Sequence, residues 1–153
     1  MRLAAAVAMT TAVLALAAAP SFQVWTSAQQ ADMFKQLPAK VNPQHVAGQP
    51  LGDWGNHSAT LWYRAGDGEA EFHETFNDIF VVQKGTATLI MGGTVVGGKT
   101  TAPHEIRGTS IKGGEKRTIG PGDIVHIPAK TPHQTLVASG QPFEYLVIKV
   151  AAQ

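Results

Sequence analysis

The chain has 153 residues, a formal net charge of +1, and 44% hydrophobic against 15% charged residues. That balance fits one globular domain with a sizeable core and excludes a disordered chain. No basic face, run of Lys or Arg, or acidic tail offers nucleic acid or lipid headgroups a foothold. The absence of cysteine excludes disulfides, thiol catalysis and cysteine-ligated zinc.

The chain opens on Arg2 and then an uncharged, Ala-rich run from Leu3 to Ala19. A basic residue, an apolar segment and small residues are the layout of a secretory signal peptide, and the run is short for a membrane span. Two cleavage points fit small-residue rules: after Ala15-Leu16-Ala17, and after Thr26-Ser27-Ala28. Residues 1–28 are therefore assigned to the signal. The mature protein is expected in the periplasm or secreted, with no membrane contact after processing. An uncleaved anchor is the alternative.

A short helix is predicted over Ala28–Leu37, with Ser27 and Gln30 as its capping box and Ala31, Phe34 and Leu37 on one face. Lys40 to Gly55 is rich in Pro, Gly and Asn and reads as an extended arm or loop, which puts helix and arm together at 29–55. From Asn56 to Val150 the pattern is β. Strands are predicted at Ser58–Arg64, Ile79–Gln83, Thr86–Met91, Ile124–Pro128, Gln134–Val137 and Phe143–Val150, all rich in Val, Ile, Thr and aromatics. Glycine turns such as Gly92-Gly93, Gly113-Gly114 and Gly120-Pro121-Gly122 separate many of them. Many short strands without a helical period predict an all-β sandwich or barrel in one domain.

Two stretches carry a family resemblance. Gly122-Asp123-Ile124-Val125-His126-Ile127-Pro128-Ala129-Lys130-Thr131-Pro132-His133 resembles the second cupin motif, G-x5-P-x-G-x2-H-x3-N, at Gly122, Pro128 and His133. Lys130 stands where Gly is usual and Val137 where Asn is usual. Glu71-Phe72-His73, then Asp78, then Gly85 follow the spacing of the first motif, G-x5-H-x-H-x3,4-E-x6-G. Glu71 replaces the first His there, and Asp78 replaces the Glu. The resemblance covers roughly Asn56 to Val150, and it implies a small double-stranded β-helix, the jelly-roll barrel of the cupins, preceded by the short helix and arm.

In that family the corresponding side chains usually hold a divalent metal. Residues at i and i+2 on a strand share a face, so Glu71 and His73 point the same way. With Asp78 and His133 they offer two imidazoles and two carboxylates, a set suited to iron, manganese, nickel or zinc and leaning toward iron or manganese. The alternative leaves Glu71 and Asp78 as solvated loop residues and His73 as a hydrogen-bonded histidine. His126 and Glu74 are the candidate proton carriers. Lys99 to Gly108, with His104 and Arg107, reads as an extended hairpin or lid.

The expected function is metal-dependent action on a small organic molecule by an oxygenase, isomerase or lyase. A metal-free barrel binding a sugar or a phenolic compound is the alternative. The chain reads as bacterial, and the resemblance implies a homodimer, with the arm from Lys40 to Gln49 reaching a partner chain.

Overall fold

The computed structural model describes residues 22–138 and 140–153. The Ala-rich run from Leu3 to Ala19, and the earlier cleavage point with it, lies outside them. Two antiparallel sheets form the body of the molecule. The first has five strands in the spatial order β1 (Val46–Asp53), β2 (His57–Arg64), β13 (Phe143–Ala151), β4 (Phe76–Lys84) and β11 (Ile124–Ile127). The second has six, in the order β10 (Glu115–Ile119), β5 (Ala87–Met91), β12 (His133–Leu136), β3 (Ala70–His73), β8 (Glu105–Gly108) and β7 (Lys99–Ala102). A separate pair joins β6 (Thr94–Val96) to β9 (Ser110–Lys112). The all-β jelly-roll expectation holds.

Alternation along the strands explains the layering. On β13, Phe143, Tyr145 and Val147 point inward and are buried. They meet Phe80 and Val82 of β4, Leu89 of β5 and Ile127 of β11 in the core between the sheets. Leu146 has the opposite parity. It packs with Leu61 and Ala47 on the outer face of the five-stranded sheet, under Phe34 and Leu37 of the N-terminal helix.

That helix, α1, spans Ser27–Gln36, and its capping box begins one residue earlier than predicted. Thr26 is the N-cap, with its hydroxyl accepting from the Gln29 N–H and the Gln29 side chain accepting from the Thr26 N–H at 2.8 Å. Ala31 is exposed, so the buried face is Phe34 and Leu37, flanked by the half-buried Met33.

Two further expectations are corrected. The arm does not stay free. Its second half is β1, paired residue for residue with β2 from Val46↔Arg64 to Asp53↔Ser58, with a bulge between Pro50 and Gly52. The Pro and Gly residues that argued against a strand sit where an edge strand tolerates them. The stretch from Lys99 to Gly108 is indeed a hairpin, but β8 also pairs with β3 over Ala70↔Gly108 to His73↔Glu105. It is part of the barrel wall, not a lid over it.

The motif residues mark tight geometry. Gly85 has φ +78° and lies against the Pro142 carbonyl oxygen, where a Cβ would collide. Lys130, at the position where the motif usually has Gly, has φ +63°. Its N–H donates to the His73 carbonyl at 2.7 Å, so the turn before β12 is tied to the strand carrying His73.

Candidate metal centre

Four side chains from three strands converge between the two sheets. Glu71 and His73 share a face of β3. His133 opens β12 and lies directly opposite Glu71 in the β12–β3 register. Asp78 comes from β4 of the facing sheet. One potential ligand atom from each lies within 4.8 Å of the others. His73 Nε2 is 3.3 Å from Asp78 Oδ2 and 3.5 Å from Glu71 Oε2. His133 Nε2 is 3.6 and 3.5 Å from the same two oxygens. Asp78 thus reaches the cluster with its own carboxylate despite being one methylene shorter than Glu.

The surroundings fix each group. His133 Nδ1 donates to the Thr131 carbonyl oxygen at 3.0 Å, which can only accept. His73 Nδ1 lies 2.5 Å from Glu105 Oε2, also an acceptor. Both rings therefore hold a proton on Nδ1 and turn Nε2 inward. Each Nε2 is buried without a hydrogen-bond partner among the described residues. The carboxylates are held from behind. Arg107 pairs with Glu71 Oε1, and Lys149 Nζ meets Asp78 Oδ1 at 2.9 Å, which leaves Oε2 and Oδ2 facing the histidines. Three of these contacts are direct cross-strand pairs: His73↔Glu105, Glu71↔Arg107 and Asp78↔Lys149.

The protonation pattern follows. Burial alone would raise the Glu71 and Asp78 carboxyls. For Glu71 the two facing histidines and Arg107 outweigh it, and for Asp78 His73 and Lys149 do, so both stay below the usual carboxylate range. Burial would likewise disfavour a charged His73, but the Asp78 and Glu71 carboxylates facing its Nε2 push its pKa up to about 9.

This donor set fits a divalent metal ion. Two inward ring nitrogens, two carboxylate oxygens and an outer layer of hydrogen bonds that orients every ligand are what such a centre requires. A cavity of about 310 Å³ opens beside it, with Glu71 and Asp78 in its wall along with Trp62, Phe80 and Tyr145.

The two candidate proton carriers are not part of this assembly. Glu74 follows the last residue of β3 and turns outward, where it meets His104 Nδ1 at 2.8 Å; both side chains are exposed. His126 alternates with the core residues Val125 and Ile127 and lies exposed on the outer face of β11. Neither lines the cavity. His104 sits in the β7–β8 turn, while Arg107 faces inward.

Glu105 and Lys149 are the functional candidates that sequence reasoning missed. Glu105-Ile106-Arg107 alternates polar and apolar as a strand does, and Lys149 has the inward parity of Phe143, Tyr145 and Val147. An inward lysine at the end of an apolar strand was the readable signal.

Fold and site together define a cupin-type barrel. No protein-family model matches the chain, and no curated protein matches it in sequence. Solved structures do match in fold. The TT1209 protein from Thermus thermophilus superposes with a TM-score of 0.55 at 19% identity, over 77% of this chain and 93% of that one. A cupin 2 conserved barrel domain protein from Salinispora arenicola gives 0.51 at 17% identity, over 75% and 84%. An oxalate oxidase gives 0.51 at 15% identity, over 72% of this chain and 53% of its own. The chain has the cupin fold.

Proposed function

We propose that this protein is a metal-dependent cupin enzyme. Glu71, His73, Asp78 and His133 hold one divalent transition-metal ion, iron or manganese by the balance of nitrogen and oxygen donors, and the adjoining cavity takes a small organic molecule. The observation that carries this reading is the pair of buried Nε2 atoms, aimed at the same two carboxylate oxygens and lacking hydrogen bonds. A buried polar atom without a partner is costly, and a cation would satisfy both at once.

Such an ion supplies a Lewis acid or an oxygen-activating centre. The protein's own contributions are distinct from it. Glu105 and the Thr131 carbonyl keep the two Nδ1 protons in place, so Nε2 is the free donor on each ring. Arg107 and Lys149 hold the outer carboxylate oxygens and prevent the two acids from turning away. Trp62, Phe80 and Tyr145 give the cavity apolar walls that limit water around the substrate.

Export is proposed on the Ala-rich run after Arg2. Cleavage after Ala17 would spare the Thr26–Gln29 capping box, whereas cleavage after Ala28 would remove its Thr26 half. A homodimer is proposed through β1, an edge strand of the five-stranded sheet among the described residues.

The test is titration of the metal-stripped protein with cobalt(II), followed by its visible absorption. The reading predicts saturation at one ion per chain, with bands that vanish in the His133→Ala variant. No binding, in a protein whose circular dichroism is that of a folded barrel, would favour a metal-free ligand-binding barrel instead.

A further inference from the structure

The cavity holds an arginine that the proposed metal centre does not use. Arg64, the last residue of β2, is 6% exposed and lines the cavity. Its Nε is buried with no hydrogen-bond partner, and among the described residues it makes no ion pair within 4.0 Å. A guanidinium in that condition is expensive to bury.

Its seat is built. The guanidinium lies against Gly68, where a Cβ would stand 2.5 Å from Nη1. The Gly68 turn is itself clamped to β12: its N–H donates to the Thr135 carbonyl at 2.8 Å, and the Gln134 side chain donates to the Gly68 carbonyl at 2.8 Å. Any side chain at position 68 would push the arginine out of place. Tyr145, directly across the sheet from Trp62, stands beside it, and with the Glu71 and Asp67 carboxylates it is near enough to favour the guanidinium's charge.

Charge bookkeeping gives the direction. The cavity wall carries Arg64, Arg107 and Lys149 against Glu69, Glu71 and Asp78. Arg107 and Lys149 are already paired with Glu71 and Asp78, and Glu69 is exposed. Arg64 is the remaining buried cation, and a divalent ion on the cluster would add two more positive charges to the same enclosed space. The walls between are aromatic.

We propose that the substrate is a small organic carboxylate: Arg64 takes its carboxylate group, and the aromatic wall of Trp62, Phe80 and Tyr145 takes its apolar body. This deepens the metal-enzyme reading and rests on it for the added charge of the ion, but the burial of the arginine, with its Nε unsatisfied, does not depend on it. A guanidinium fork matches a carboxylate in a bidentate geometry that an amide cannot reproduce.

The experiment measures binding of benzoate and of benzamide, its neutral counterpart, by calorimetry. It uses the full chain with manganese(II) bound and again after chelation. Benzoate is expected to bind at least about tenfold more tightly than benzamide. Arg64→Gln is expected to remove that preference and Arg64→Lys to restore part of it, with manganese content unchanged in both. Equal binding of the two probes by the parent protein, a comparison that needs no variant, would overturn the proposal. So would a benzoate preference that survives in a folded Arg64→Gln, since the anion would then be held elsewhere. If manganese fails to bind while the Arg64-dependent preference remains, the carboxylate site stands and the metal reading falls. If manganese binds but the preference is absent, the reverse holds.

Discussion

Two histidine–carboxylate assemblies adjoin at the end of β3, one built on Glu71 and His73 and the other on Glu74, and they differ in what matters. His104 and Glu74 are 2.8 Å apart, closer than His73 and Asp78 at 3.3 Å. Yet the closer pair is exposed, each partner satisfies the other, and water screens both. The inner assembly is buried, its four ligand atoms converge, and two ring nitrogens have no hydrogen bond. A short distance marks a contact; convergence with unmet bonding capacity marks a place for a ligand. His126, exposed on β11, lies outside the converging cluster.

The contrast can be broken or sharpened experimentally. The largest effect is expected at the ligands. His73→Ala or His133→Ala should weaken divalent metal binding by about a hundredfold or more, because each removes a nitrogen donor from a buried set. Equilibrium dialysis with metal analysis reads this. The same change at His104 should leave affinity within error, and equal losses at both histidines would erase the distinction drawn above.

The next effect is of pH. Without metal, His73 has a pKa of about 9, above its usual 6.5. A metal ion must displace that proton, so affinity should rise about tenfold per pH unit between pH 7 and 9 and level off above. The sign for folding is opposite. A raised folded-state pKa stabilises the metal-free protein fully below the unfolded value of 6.5, and that contribution is lost as pH climbs through 9. The metal-free melting temperature should fall over this window, and the fall should shrink in His73→Gln. A flat metal affinity from pH 7 to 9 would show that His73 is not a ligand.

Smaller effects belong to the supporting residues. Glu105→Gln and Arg107→Ala should each lower metal affinity about tenfold while leaving the fold intact, since they orient ligands without donating to the ion. Removing the helix cap with Thr26→Ala should cost about 1 kcal/mol of stability by denaturant unfolding and leave metal affinity alone. A metal effect from Thr26 would mean that the helix, on the far side of the five-stranded sheet, is coupled to the centre.

Much of this was legible in the residues. The strands over 58–64, 79–83 and 143–150 announced themselves by β-branched and aromatic runs, and the cupin-like spacing singled out the four converging side chains even where their identities depart from the motif. What was not legible has physical causes. β1 is hidden by Pro50 and two glycines, which an edge strand accommodates. β3 is only four residues long, with charges on either side of it. β8 lies within a glycine-punctuated stretch, so its Glu105 and Arg107 acquire their roles only through the register with β3. Arg64 ends a predicted strand, but nothing local shows that its guanidinium is buried beneath Gly68. The outward turn of Glu74 and His126 follows from parity, which one strand boundary can reverse.

The central claim is that the buried four-residue cluster, and not the exposed pair beside it, holds a metal. Its most direct test is metal content per chain in the parent, His133→Ala and His104→Ala, purified from the natural compartment and re-equilibrated with iron(II) or manganese(II), with circular dichroism to confirm folding. The account predicts close to one ion per chain in the parent and in His104→Ala, and almost none in a folded His133→Ala. Full occupancy in His133→Ala with loss in His104→Ala, or no metal in any of the three, would contradict it.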